Sequence, residues 1–142
     1  MIPGGLYLVD TSALARANGH ERVRIELVRL GQLGLLATCV TIDLEVMFSA
    51  RSPHEYSSIA SRRAESFTDL PLVAAIGERA RVVQAALART SQHRAAGVVD
   101  LITAACAEHY GATILHYDRD FDHISAVSHQ PTRWIVPAGS ID

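Results

Sequence analysis

The sequence predicts an α/β protein, a three-layer α/β/α sandwich around a mainly parallel central sheet. Three observations carry this. Short apolar runs at 6–9, 35–38, 113–117 and 133–136 alternate with segments of helical periodicity, the order expected of strands joined by crossover helices. The runs are continuously apolar rather than alternating, as in strands covered on both faces of a parallel sheet. Two of them lead straight into an aspartate, at Val9-Asp10 and Tyr117-Asp118, and the carboxyl ends of strands are where open α/β sheets bind ligands.

Composition bounds the rest. A chain of 142 residues suits one domain, 1–142, and can bury a proper core. Hydrophobic residues at 49% and charged residues at 20% are ordinary for a soluble globular protein. No apolar run approaches the roughly 18 residues of a membrane span, and Met1-Ile2-Pro3-Gly4-Gly5 has no basic region or long apolar segment of the kind a signal peptide needs. Cys39 and Cys106 lie in apolar or alanine-rich surroundings without metal-ligand spacing, which makes them reduced core residues and a reducing cytoplasm the expected location. All 13 basic residues are arginine, so any mechanism that needs a catalytic lysine is excluded. Arginine also suits phosphate recognition through its planar fork.

Taken in order, the first strand (6–9) is followed by a short helix capped by Thr11 or Ser12 and stopped at Asn18-Gly19. Val23, Leu27 and Leu30 recur at i, i+4, i+7 in a second helix, 21–33, which frays at Gly31 and Gly34. After the second strand, Thr41 can cap a helix running to about Ala50. Ser52-Pro53 breaks it, and proline at a first turn favours another helix over 54–66 with a polar surface that includes Arg62, Arg63 and Glu65. Asp69-Leu70-Pro71-Leu72 is a connector or a short edge strand. A long helix over 74–90 buries Ile76, Ala80, Val83 and Leu87, and a loop over 91–97 leads into a helix, 98–110, apolar nearly all round and ended by Gly111. A strand (113–117), a short helix opened by Asp118 and a last strand (133–136) complete the chain.

Four acids are placed to converge. Asp10 and Asp118 end strands, and Asp100 sits in the first turn of the most buried helix. Glu45 lies in an apolar run and is expected to face inward, with Asp43 supplying the polar stripe. Each has a structural explanation of its own: a cap, a dipole partner worth about 0.3–1 kcal/mol, or surface charge, as Asp120 and Asp122 also allow. Together they would form an acidic pocket, and crowded carboxylates resist ionisation unless a cation neutralises them. An all-oxygen site suits hard ions, Mg²⁺ or Mn²⁺, and such a site can hydrolyse a phosphodiester with metal-activated water.

The order of Val9-Asp10-Thr11-Ser12-Ala13-Leu14, Glu45 on an early helix, Val99-Asp100-Leu101-Ile102-Thr103-Ala104-Ala105 and Tyr117-Asp118-Arg119-Asp120-Phe121-Asp122 resembles the PIN domain, and more narrowly the VapC toxins of bacterial type II toxin–antitoxin pairs. The resemblance covers essentially the whole chain. It implies a metal-dependent endoribonuclease, usually a homodimer, held inactive by a cognate VapB antitoxin. It further implies that Asp10, Glu45, Asp100 and Asp118 are the catalytic and metal-binding acids, and that Ser12 supports the metal shell. His116 stands where many relatives carry a threonine or serine, so its imidazole either hydrogen-bonds the site or finishes the strand, and the fourth acid is either Asp118 or Asp120.

On this reading the net charge of −2 would become +2 with two divalent ions bound. Arg94 and His93, just before the Asp100 helix, are placed to reach a phosphate of the RNA, and Tyr56 and Tyr117 are candidates for stacking on bases. The helices over 53–66 and 74–90 are expected to frame a groove for the antitoxin. A phosphatase of the haloacid-dehalogenase type needs a second acid where Ser12 stands, and a lysine; a P-loop needs its Gly-Lys pair. The remaining alternative is a catalytically weak PIN-like module that binds RNA or protein without cutting.

Overall fold

The computed structural model describes residues 5–142; residues 1–4, most of the stretch tested above for a leader, lie outside the described residues. Five strands, β1 (Tyr7–Val9), β2 (Leu36–Thr38), β3 (Thr68–Asp69), β4 (Thr113–His116) and β5 (Thr132–Trp134), form one all-parallel sheet in the order β3-β2-β1-β4-β5. The helices are α1 (Thr11–Leu14), α2 (Glu21–Gln32), α3 (Val40–Phe48), α4 (Pro53–Ser66), α5 (Ala74–Ala88), α6 (Val98–Tyr110) and α7 (Asp120–Ser128).

The central strands β1, β2 and β4 bury both faces, so successive residues go to opposite layers. Leu8 and Ile114 pack with Ile42 of α3, Ile76 and Leu87 of α5, Leu101 of α6 and Phe121 of α7. Val9 and Leu115 pack the other way, on Val23 and Leu30 of α2 and on Ile135 and Val136 beyond β5. This is the expected three-layer sandwich. The chain winds from β1 outward to β2 and β3, then returns to β4 on the other side of β1. Strand order therefore reverses between β1 and β4, and the crevice at their carboxyl ends is where such sheets hold ligands. Asp10 and Asp118 follow these two strands.

Several local expectations are corrected. The first helix is capped by Asp10 itself, whose side chain accepts from Ser12 N, and it closes at Leu14, with turns continuing to Gly19. Helix α3 begins at Val40 with Cys39 as its N-cap, so Thr41 lies inside the first turn. Strand β4 stops at His116, α7 starts at Asp120 rather than Asp118, and β5 covers 132–134. Thr68–Asp69 is the short edge strand, ending before Pro71. Gly111 ends α6 at φ 68°, a left-handed cap that favours glycine. Cys39 and Cys106 are free and buried. No helix among the described residues is long and apolar enough to cross a membrane.

Helix α4 starts as expected, with Ser52 accepting from Glu55 N and Pro53 in the first turn. Arg63, however, is not on its surface. The guanidinium is buried, donates to Asp43 Oδ1 from Nε (3.0 Å) and from an Nη (2.8 Å), donates to Thr38 Oγ1 (2.8 Å), and lies over the Phe67 ring. It pins α4 to α3 and β2. Arg63→Ala would leave Asp43 Oδ1 only the Thr38 hydroxyl as a donor, and a loss of roughly 3 kcal/mol is expected in urea unfolding, as for breaking a buried pair. A loss below about 1 kcal/mol would make it an ordinary surface pair. The groove expected between α4 and α5 is not built that way: α4 docks on α3, whereas α5 packs on α6 and α7. A cleft of about 690 Å³ beside α4 is shared with α2 instead, through Leu27 and Val28.

Candidate active site at the carboxyl edge of the sheet

Asp10 leaves β1 with its backbone N–H donated to Leu115 O of β4 (3.0 Å), so its position is set by the sheet. The residue is only 3% exposed. Oδ2 accepts from Ser12 N (3.0 Å), but Oδ1 is buried without a hydrogen-bond partner. Burial raises its pKa above the ordinary carboxylate value. Hydrogen bonds from Ser12 oppose the rise, and the charges of Glu45 and Asp118 add to it. A cap needs only one carboxylate oxygen; an unpartnered buried oxygen costs about 1–3 kcal/mol, which capping alone does not explain.

Ser12 joins the two strand ends. Its hydroxyl accepts from Tyr117 N at 2.9 Å, while its backbone N–H donates to Asp10. Beyond Tyr117 the chain makes an Asx turn, in which Asp118 Oδ1 accepts from Asp120 N (2.9 Å). The turn brings both aspartates to Asp100, at the start of α6: one oxygen from each of Asp100, Asp118 and Asp120 lies within 4.8 Å of the others. Both residues weighed for the fourth acid therefore reach the cluster. Burial first, then the charges of Asp10, Asp118, Asp120 and Glu45, push the Asp100 carboxyl up to about 7. Asp120 is raised by burial and by Asp118, while its hydrogen bond to the Asp100 side chain works the other way.

Glu45 does not face inward. It is exposed at the rim, where Oε1 accepts from Thr11 Oγ1 at 2.9 Å, and it acts on Asp10 and Asp100 electrostatically. Asp43, assigned to the polar stripe, instead takes the buried Arg63. Beside Glu45, a cleft of about 400 Å³ is lined by Thr41, Leu44, Phe48 and Val99. His116 is fully buried; Nδ1 accepts from Asp118 N (3.1 Å) and burial lowers its pKa to about 4, so it is neutral. His93 and Arg94 are exposed on the loop before α6, and Arg94 joins no ion pair among the described residues.

Tyr117 is not available to stack on a base. It is buried, its hydroxyl donates to Ile141 O (2.8 Å), and Arg16 covers the ring at 4.4 Å. Tyr56 is exposed on α4. One contributor escaped the sequence reading: Thr11, considered only as a cap, holds Glu45. A hydroxyl directly after a strand-end acid was the available signal.

The donor set is entirely carboxylate oxygen, which suits a hard divalent cation. The unpartnered Asp10 Oδ1 and the partial protonation of Asp100 near neutral pH are both relieved by positive charge at this point.

The PIN domain profile matches residues 7–127. Ribonuclease VapC21 of Mycobacterium tuberculosis is 39% identical over 134 residues, 94% of this chain and 96% of its own length. Ribonuclease VapC51 of the same organism is 40% identical over 136 residues, 96% and 97% of the two chains. Among solved structures, VapBC2 from Rickettsia felis bound to a promoter DNA fragment superposes with a TM-score of 0.75 at 13% identity, covering 91% of this chain and 98% of that one. DNA-bound VapBC from Salmonella typhimurium gives 0.75 at 14% identity, covering 93% and 99%. The profile spans β1 through most of α7, the stretch that carries Asp10, Glu45, Asp100, Asp118 and Asp120, and the chain belongs to the PIN domain family.

Proposed function

We propose that this protein is a metal-dependent endoribonuclease acting as the toxin of a VapBC-type toxin–antitoxin pair. The observation that carries the reading is the group of acids at the β1–β4 switch point, with Asp10 buried and Oδ1 left without a partner. The relatives named Ribonuclease VapC, similar over nearly their whole length, support the RNA substrate. The VapBC complexes among the structural neighbours support a VapB-type antitoxin as partner.

Asp10, Asp100 and Asp118 would hold the ion, Mg²⁺ or Mn²⁺, with Glu45 and Asp120 completing the acidic ring. When bound, it would lower the pKa of a water and offset charge on the leaving oxygen. The chain's own residues do the rest. Ser12 keeps the ends of β1 and β4 in register, so that Asp10 and Asp118 face the same crevice. Thr11 steadies Glu45 at the rim. Arg94 would meet a backbone phosphate and Tyr56 a base. The protein would act in the cytoplasm as a single domain. Cleavage of a structured RNA by the purified protein, dependent on added Mn²⁺ or Mg²⁺ and stopped by EDTA, tests this. RNA bound but left intact at saturating metal would favour the binding-only alternative.

The proposal includes a homodimer, and α3 offers its face. Val40, Leu44 and Phe48 recur at i, i+4, i+8 and are exposed, Phe48 to 93%, and Val99 of α6 lines the same cleft as Leu44 and Phe48. Asp43 turns away to Arg63, and Glu45, held by Thr11, stands at the edge of the stripe, so its centre is apolar, as the core of a homodimer interface is. Sedimentation should give about twice the 15.4 kDa chain mass for the wild type and 15.4 kDa for Phe48→Glu. A monomeric wild type would remove this part of the proposal alone.

A further inference from the structure

We infer that His116 is a positioning residue for the acidic site: by accepting the Asp118 backbone N–H on Nδ1, it sets the direction in which Asp118 leaves β4. The inference rests on the proposed metal-dependent nuclease and adds a residue that acts through Asp118 without touching substrate.

Three of the four amides over residues 117–120 go to side-chain acceptors: Tyr117 N to Ser12 Oγ, Asp118 N to His116 Nδ1, Asp120 N to Asp118 Oδ1. The first and last of these involve site residues themselves. The middle one is the only link supplied from inside the core. The ring is held firmly enough to serve: the His116 carbonyl accepts from Ile135 N of the neighbouring strand segment at 2.9 Å, and the imidazole packs against Phe121 (5.0 Å) and Trp134 (4.9 Å).

The second nitrogen separates this role from simple filling. An imidazole that accepts on Nδ1 must carry its proton on Nε2, and Nε2 is buried with no polar partner. Aromatic faces satisfy an N–H only weakly. A side chain serving only to fill the box between Phe121 and Trp134 would be better apolar, like its neighbours Ile114 and Leu115. Keeping an unpaired donor in the core is explained by the acceptor on the opposite side of the ring.

The test compares His116→Leu, which fills the box without an acceptor, with His116→Asn, whose Oδ1 falls near the place of Nδ1 but which packs less well. Mn²⁺ affinity is measured by calorimetry, apo melting in EDTA, and kcat and KM for RNA cleavage. His116→Leu is expected to bind Mn²⁺ about tenfold or more weakly, the usual effect of losing a group that orients a ligand, with kcat reduced, KM little changed and apo melting held. His116→Asn should bind Mn²⁺ within about threefold of wild type despite a lower melting temperature. Wild-type Mn²⁺ affinity in His116→Leu, or losses in both variants that follow their melting temperatures, would overturn the inference. Histidine ¹⁵N–¹H correlation spectra of the wild type provide a check without a variant: the proton must be on Nε2, and a proton on Nδ1 would overturn it equally. A wild type that binds no divalent ion at millimolar concentration would instead remove the metal-centre reading on which the inference stands.

Discussion

An Asp100→Asn protein is expected to cleave RNA more than about 100-fold more slowly than wild type at saturating Mn²⁺, since even groups that merely orient metal ligands contribute 10- to 100-fold. In EDTA it should be as stable as wild type within about 1 kcal/mol, or more so. Two effects of opposite sign act on the apo protein. Asparagine forgoes the attraction of a carboxylate to the N-terminus of α6, worth about 0.3–1 kcal/mol. It also removes one of the mutually repelling acids that, with burial, push Asp100 up to about 7. The carboxyl is already partly protonated at neutral pH, so the dipole loss is itself reduced and the relief of repulsion should win. A helix cap or a surface acid would show the reverse pattern, with activity intact and any stability change downward. Wild-type cleavage by Asp100→Asn would therefore sink the nuclease mechanism as assigned. Asp10→Asn should lose activity similarly while keeping the Ser12 amide bond, because its side-chain oxygen can still accept.

The legible parts of the sequence were those where local pattern and tertiary role agree. Continuous apolar strands running into Asp10 and Asp118 meant a parallel sheet with two acids at one edge, and α6 was recognisably central because Leu101, Ala104, Ala105 and Cys106 leave it no polar face toward the core. Glu45 was misread for a physical reason. An acid within an apolar run points inward only where the run is covered, but Leu44 and Phe48 are themselves exposed, so the apolar character of α3 belongs partly to a face that this chain alone does not cover. Arg63 was misread in the opposite sense: a charged residue in a polar-looking helix reads as solvated, and only the fold brings Asp43 and Thr38 to it. The choice between Asp118 and Asp120 was open because it depends on a turn: once Asp118 accepts its neighbour's amide, both side chains reach Asp100. Tyr117 looked like a free aromatic because the chain past β5, which takes its hydroxyl, is distant in sequence.

Stability should depend on pH with one sign in EDTA and the opposite sign in Mn²⁺. Asp100 titrates near 7 in the folded protein against an ordinary value of 3.8. Its raised pKa means that the folded state holds a proton the unfolded state has lost, so its contribution is fully present below the unfolded value and is lost as pH rises through about 7. His116 acts oppositely: burial lowers it to about 4 from 6.5, so its neutral folded form favours unfolding as pH falls below 6.5. The two slopes offset each other between about 4 and 6.5, and above 6.5 the Asp100 term prevails as the unfolded His116, half protonated at 6.5, loses the rest of its charge. From pH 6.5 to 8, linkage through Asp100 takes away about 0.8 kcal/mol while His116 returns about 0.4, a net fall of about 1–2 °C for a chain of this size. Asp100→Asn should abolish that fall. A divalent ion reverses it, because metal binding needs the deprotonated carboxylates and strengthens as they ionise. At 100 times its Kd the ion adds about 2.7 kcal/mol to the folded state, which outweighs the loss from Asp100. Melting temperature should therefore fall from pH 6.5 to 8 in EDTA and rise over the same range in Mn²⁺, with cleavage dropping about tenfold for each pH unit below 7 as protons compete with metal for Asp100. Melting curves that ignore Mn²⁺ at every pH, with an EDTA slope unchanged by Asp100→Asn, would mean that these acids neither share a cation nor feel one another as their placement requires.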